Sequence, residues 1–481
     1  MLSMVAAFLV PLTGAGLIFL ARTRRARLLV LLLTTLAHVS MTASLWPGKR
    51  TPEAGALFGV DAQGLLFLSV ISVLYCLVAV HLVAYTRRDP RGAPPVFLAC
   101  HLFSLAAMTL ACFSQHWGLY WVAMEATTLA SAPLLFYHHG PRSLEATWKY
   151  ILIGSVGIAL ALMGTLFLGM AAAAVPHVEN SLVFSTMLAN AGELSVPWIK
   201  IAAVFLIVGY GTKMGLAPMH TWKPDAYGEA PPPVAALLSG GLTNAAFLGL
   251  LRVTTLCNAA GEVAFVRSIM VVLGLVSIGI AAASMVGQGN YRRMLAYSSV
   301  EHMGILTLAV GVGGLATFGG LLHAVNNALN KGILFLAAGN ILQACRTSDV
   351  KGITGLFRTL PVSAVFLVVG FFAATGFPPF GTFVSEFTIL RGLITGGGVL
   401  VPALYLGFLA VAFIGMGSIV LGMVQGAPGA APEGAKPPRE TFASILPIVI
   451  LAALALLLGL HIPEALERLL REASDVPGGF R

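Results

Sequence analysis

At 481 residues, 58% hydrophobic and only 10% charged, with a mean hydropathy of +0.90, the chain lies far outside the range of water-soluble globular domains. The formal charge of +9 raises nucleic acid as a partner, but the basic residues sit in alternate connections between apolar runs. That distribution excludes nucleic acid and points to a membrane, because cytoplasmic loops collect lysine and arginine.

Runs of about 20 apolar residues, each long enough to cross a hydrocarbon core of roughly 30 Å as a helix, recur from end to end. They fall near residues 3–20, 28–46, 63–85, 95–114, 117–137, 150–174, 199–219, 232–256, 264–286, 294–312, 316–342, 360–390, 400–424 and 442–461, numbered here as spans 1 to 14. The predicted fold is therefore an all-α polytopic membrane protein of about 14 transmembrane helices. Span 1 is followed by "ARTRRAR" with no small-residue cleavage site, so it reads as a retained span rather than a signal peptide. Loops after spans 1, 3, 5, 9 and 11 hold Arg22, Arg24, Arg25 and Arg27; Arg87, Arg88 and Arg91; Arg142 and Lys149; Arg292 and Arg293; and Arg346, Lys351 and Arg358. The intervening loops have few basic residues, Lys49 and Arg50 apart, and the longest carries Glu179 and Glu193, which places both termini outside.

The long polar stretches are "PHVENSLVFSTMLANAGELSVPW", read as an outside loop with a short amphipathic piece, and "QGAPGAAPEGAKPPRE", read as a linker isolating span 14. Spans 7 and 12 are interrupted by glycine and proline, in "GYGTKMGLAPMH" and "ATGFPPFGTFVSEF". Paired broken helices in matching positions mark inverted-repeat transporters. The separation of Glu125 from Lys213 resembles that of His302 from Glu386, which pairs spans 4 to 8 with spans 9 to 13 as two inverted five-helix repeats. The resulting units are 1–94 (spans 1 to 3), 95–258 (first repeat), 259–424 (second repeat) and 425–481 (linker and last span).

A charge at mid-membrane costs at least about 2.5–3.5 kcal/mol, so each one needs a partner or a water-filled cavity. The candidates are Glu125, Lys213, His302, Glu301, His323, Lys331 and Glu386. For Glu125 and Lys213 a static ion pair competes with a proton site, in which the carboxylate holds the lysine charged until a helix shift parts them. At about 6 Å and an effective dielectric near 20 that contact is worth roughly 2.8 kcal/mol. His323, Asn327 and Lys331 are four residues apart and share a helix face. This stripe is either inter-helix glue or a wire in which asparagine orders water between histidine and lysine. Glu301 reads as a cap or a loop-facing residue. His81, His101, His116, His138 and His139 read as interfacial rather than as haem ligands. The five cysteines, Cys76, Cys100, Cys112, Cys257 and Cys345, form no CxxC or Cys/His cluster, so neither an iron–sulfur nor a zinc site is expected. No Walker loop or GxGxxG is present, and no catalytic residue is expected in the chain.

From about Trp117 to Glu386 the chain resembles the antiporter-like proton-pumping subunits shared by respiratory complex I, Mrp-type antiporters and group 4 hydrogenases. The resemblance rests on "YWVAMEATTLASAPLL", "ATWKYILIGSVG", "TKMGLAPMHTWKPDAYGEAPPPVAALL", "YRRMLAYSSVEHMG", "HAVNNALNKGILFLAAGN" and "GFPPFGTFVSEFTIL". "MEATTLAS", "SSVEHMG" and "ALLSGGLTNAAF" are most similar to the hydrogenase-4 F-type subunit. The resemblance implies that Glu125 and Lys213 are the family's glutamate–lysine pair, that His323 and Lys331 are its helix-11 polar residues, and that Glu386 is its acidic outlet on broken helix 12. Ser239 stands where relatives often carry a histidine or lysine on helix 8, and Asn327 where many carry a second helix-11 histidine. The wire would then depend on water held by Ser239, Thr243 and Asn327.

The resemblance further implies a prokaryotic inner membrane and partnership with other antiporter-like subunits and peripheral redox subunits. It implies no cofactor in this chain, iron–sulfur clusters and nickel–iron belonging to partners. The family's long lateral helix is not expected. The function implied is proton translocation within an oxidoreductase complex of hydrogenase or NADH/quinone type. The alternatives are a sodium/proton antiporter subunit and a structural membrane anchor.

Overall fold

A computed structural model of the protein describes residues 2–48, 55–89, 92–173, 175, 182–396, 398–427 and 440–475. Lys49, Arg50, Arg91, Glu179 and most of the 425–440 linker lie outside the described residues. The described chain is all-helical, with isolated β-bridges and no strand. Twelve of its helices are long and apolar enough to cross a membrane. The two remaining predicted spans take other forms: span 11 is the long helix Leu315–Cys345, whose polar stripe lowers its hydropathy, and span 12 is split into Pro361–Ala374 and Gly381–Thr395. A short amphipathic helix, Glu464–Ser474, follows span 14 and packs on spans 3 and 11.

Local chemistry sets the helix starts. Asp61 accepts from the Gly64 amide at 2.6 Å to begin span 3, and Asn290 accepts from the Arg292 and Arg293 amides at 3.0 and 3.2 Å to begin span 10 (Tyr291–Val312). Proline fills the first turn of spans 4, 7, 8 and 12, where its missing N–H costs nothing. Span 8, Pro232–Ala259, is fully enclosed, whereas spans 1, 2 and 9 turn most of their surface outward. With no water to compete in the membrane, large exposed side chains such as Leu29, Leu33, Leu166 and Val272 belong on that outer surface.

Helix packing pairs up along the chain: span 4 lies on span 5 as span 9 lies on span 10, and span 6 on span 7 as span 11 on span 12. Both interruptions contain a cis X-Pro peptide, Ala217–Pro218 and Pro378–Pro379. Span 7 proper, Val196–Met214, ends at Gly215, whose φ of 80° is the left-handed helix-stop conformation glycine adopts without penalty. The chain then turns back into the membrane body as a buried helix, Trp222–Glu229. Trp222 Nε1 donates to the Thr212 carbonyl at 3.0 Å across this break. In the second break Asn330 Nδ2 does the corresponding work, donating to the Ala373 carbonyl at 3.0 Å and to Thr382 Oγ1 at 2.7 Å on opposite sides of it. Broken helices survive in a membrane only where such groups satisfy the freed backbone.

Candidate functional site: a buried polar chain

Span 5 (Trp117–Leu135) carries Glu125 half-buried at the edge of the bundle. Its Oε1 accepts from Ser155 Oγ at 2.9 Å and its Oε2 from Thr128 Oγ1 at 3.2 Å. Lys213, the penultimate residue of span 7, is fully buried; its Nζ donates to Thr128 Oγ1 at 2.6 Å and to the Tyr150 hydroxyl at 3.1 Å, and lies over the Tyr150 ring. Glu125 and Lys213 form no direct ion pair. One hydroxyl, that of Thr128, accepts from the lysine and donates to the carboxylate.

The centre holds Ser239. A π-turn over Leu238–Leu242 interrupts span 8, a form that recurs at functional sites. It aims Ser239 Oγ at Ser299 Oγ, 2.9 Å away on span 10. Thr243 donates its hydroxyl to the Ser239 carbonyl of its own helix at 2.6 Å, so that proton is not free to order water between spans.

Span 10 and span 11 complete the chain. Lys331 Nζ donates to Ser298 Oγ at 2.7 Å, and the buried Glu301 lies about one turn farther along the helix of Ser298. Glu301, expected at a cap or loop, instead lies mid-helix and buried, because span 10 is enclosed on nearly every side. His302 Nδ1 meets His323 Nε2 at 2.9 Å, and His323 Nδ1 meets Ser385 Oγ at 3.1 Å, next to Glu386. The i, i+4 spacing does put His323, Asn327 and Lys331 on one helix, but the hydrogen bonds run sideways to spans 10 and 12 rather than along the stripe. Both side-chain amide atoms of Asn327 are buried without a protein partner, as are His302 Nε2 and Glu386 Oε1. Gly376, at φ 65°, leaves the space that the Glu386 carboxylate fills; a β-carbon there would overlap it.

His302, His323 and Glu386 each offer a ligand atom within 4.8 Å of the others. The donor set matches zinc chemistry, but two of its nitrogens already share a hydrogen bond, an arrangement suited to passing a proton.

Among the other histidines, His81 and His101 depart from the interfacial reading, whereas His116 sits at a span end. His81 is buried on the Ser444 carbonyl at 3.1 Å, and His101 is buried against Tyr75. His116 caps span 5 by accepting from the Gly118 amide at 3.1 Å.

Lys223, which no pattern in the sequence singles out, is fully buried. Its Nζ donates to the Met214 carbonyl at 2.8 Å and lies 3.4 Å from the Ser299 carbonyl. The signal that marks it is its setting: a lysine between a tryptophan and a proline, just after a helix break, in "HTWKPDAY". Beside it, Asp225 pairs with Lys149 of span 6 at 2.8 Å and Arg293 of span 10 at 2.6 Å, in a polar depression of 520 Å³.

Lysines, histidines and carboxylates that run from one broken helix to the other through an enclosed helical bundle define a multi-pass membrane protein built around an internal polar path. Residues 114–413 match the family described as NADH:quinone oxidoreductase/Mrp antiporter, transmembrane, and the chain belongs to that family. It is 33% identical over 468 residues to the hydrogenase-4 component F homolog of Methylacidiphilum infernorum, covering 96% of this chain and 97% of that protein. Its fold is similar to a chain of the membrane-bound sulfane sulfur reductase, an archaeal respiratory membrane complex (TM-score 0.87, 21% identity, 99% and 97% of the two chains). It is likewise similar to a chain of the Mrp complex from Dietzia sp. DQ12-45-1b (TM-score 0.86, 20% identity, 99% and 98% covered).

Proposed function

We propose that this chain is a proton-translocating membrane subunit of a multisubunit redox complex, in which electron transfer in partner subunits drives protons along its buried polar residues. The observation that carries the reading is the set of fully buried ionisable groups, Lys213, Lys331, His302 and His323, each lysine held on a hydroxyl and the two imidazoles on each other, with Glu386 close to that pair. Keeping so many such groups in the membrane interior is costly and is the mark of proton relays.

Glu125 is the input. It is half-buried at the bundle edge, where a neighbouring antiporter-like subunit can reach it. A shift that parts Glu125 from Thr128 removes the carboxylate's support for the Lys213 ammonium, and the released proton moves inward. Water bound by the Asn327 amide and by His302 Nε2 continues the path to Glu386, since buried polar atoms without a protein partner are where internal water binds. The basic residues after spans 1, 3, 5, 9 and 11 support a cytoplasmic location for those loops, and so outside termini, in a prokaryotic inner membrane. Iron–sulfur clusters and nickel–iron chemistry would reside in the partners.

The test is Lys213→Met in the assembled complex reconstituted in vesicles, with proton uptake and electron transfer measured together. Uptake should fall by about a hundredfold, the scale of losing one positioned proton carrier, while the complex still assembles. Unchanged uptake would leave a structural anchor as the better reading. Replacing sodium by choline should leave uptake unaltered; sodium dependence would favour an antiporter.

A further inference from the structure

We infer that Lys223 is the central proton carrier of this chain, acting in place of the titratable side chain that span 8 lacks at Ser239. The inference rests on the proton-path reading above and adds a residue to it.

Three observations converge. First, the ammonium is fully enclosed and has no carboxylate partner among the described residues; its hydrogen bonds go to two backbone carbonyls. Second, those carbonyls belong to the two halves of the path. Met214 is the neighbour of Lys213, and Ser299 carries the hydroxyl bonded to Ser239 and adjoins Ser298, which holds Lys331. Third, the space is made for it. Gly215 has no β-carbon, and one placed there would sit 2.7 Å from Lys223 Cδ and 3.2 Å from its Nζ.

The plain alternative is a cap. Met214 ends span 7, and a lysine can satisfy a last-turn carbonyl. A cap needs only a donor, however, and burying an ammonium without a counter-ion is an expensive way to supply one. A group that exchanges its proton is neutral for part of the cycle and escapes that cost then. In the transfer, an N–H bond of the Lys213 ammonium breaks, leaving a neutral amine, and one forms on the Lys223 amine by way of intervening water. The same exchange then moves the proton from Lys223 to Lys331. The repulsion between the Lys223 and Lys331 ammonium groups favours their being charged in turn.

The experiment uses the whole complex in vesicles, with the proton-to-electron ratio, the electron-transfer rate and assembly on native gels as readouts. Lys223→Gln keeps an amide donor for the two carbonyls but cannot titrate. The ratio should fall by at least about tenfold in Lys223→Gln and in Lys223→Met, with electron transfer and assembly retained in the glutamine variant. Adding Ser239→His to Lys223→Gln should restore much of the ratio. A parental ratio in Lys223→Gln overturns the inference, whether or not the methionine variant assembles, because a cap is all that glutamine can replace. Lys213→Met run alongside separates the two readings: a lost ratio there with a parental one in Lys223→Gln removes only Lys223 from the path, whereas parental ratios in both remove the path itself.

Discussion

At the first broken helix the lysine reaches its carboxylate only through one hydroxyl, at the half-buried edge of the bundle. At the second, Lys331 donates to Ser298 with the buried Glu301 on the same helix, and two imidazoles bonded to each other lie close to the largely buried Glu386. The contrast assigns roles. On the proposed proton-path reading, a single-hydroxyl link next to an outer surface suits the first half to being triggered by a neighbouring subunit. On the same reading, the imidazole pair beside Glu386, which the first half lacks, suits the second half to relaying.

The sharpest way to break that comparison is to remove the hydroxyl on each side. Thr128→Val conserves shape and leaves Lys213 without its shortest partner, while the carboxylate loses a donor; hydrogen bonds to charged groups are worth about 1.5–3 kcal/mol. Proton uptake per electron should drop by about tenfold or more, and Thr128→Ser should restore it. Ser298→Ala should cost several-fold less, because Ser298 holds Lys331 without bridging it to a carboxylate, as Thr128 bridges Lys213 to Glu125. Equal losses in the two variants would mean that the halves do not differ in kind.

The two helix-stop glycines offer a second, smaller contrast. Gly376→Ala and Gly215→Ala each force a non-glycine residue to positive φ, at roughly 1–2 kcal/mol. In Gly376→Ala the new methyl also displaces the Glu386 carboxylate from a closed site, whereas in Gly215→Ala it meets a flexible lysine stem. Both variants should unfold at lower temperature in detergent, Gly376→Ala the lower of the two. The reverse order would show that Lys223 is the more tightly held group.

How far such sites are legible in sequence follows the same divide. Glu125, Lys213 and Glu386 stand out because each is a charge inside an apolar run, and the glycines and prolines around two of them announce the breaks. The partners do not stand out. Thr128, Ser298 and Ser385 are ordinary helix hydroxyls whose importance comes from which helix they face, and facing is decided by packing that spacing within one helix does not encode. The His323–Asn327–Lys331 stripe illustrates this: its periodicity is real, yet its hydrogen bonds cross to spans 10 and 12. Lys223 was hidden for another reason. "HTWKPDAYGEAPPP" has the polarity of a loop, and only the turn at Gly215 returns it to the interior. Glu301 reads as a helix end because its sequence neighbours are polar, whereas span 10 is among the most enclosed helices.

The ion-pair cluster that joins the two halves at the polar depression should matter least. Asp225, on the helix that follows the first break, pairs with Lys149 from the first half and Arg293 from the second. Lys149 and Arg293 keep 44% and 40% of their side-chain surface exposed, so solvent and salt screen both pairs. Asp225→Asn should therefore lower stability by less than about 1 kcal/mol, a loss that shrinks further in high salt, and should leave the proton-to-electron ratio at the parental value. Thermal unfolding at two salt concentrations and proton uptake in vesicles check both parts. A collapse of uptake with stability intact would make the depression around Asp225 a proton inlet rather than a clamp, and the division into a triggered half and a relaying half would then need a third member beside Lys223.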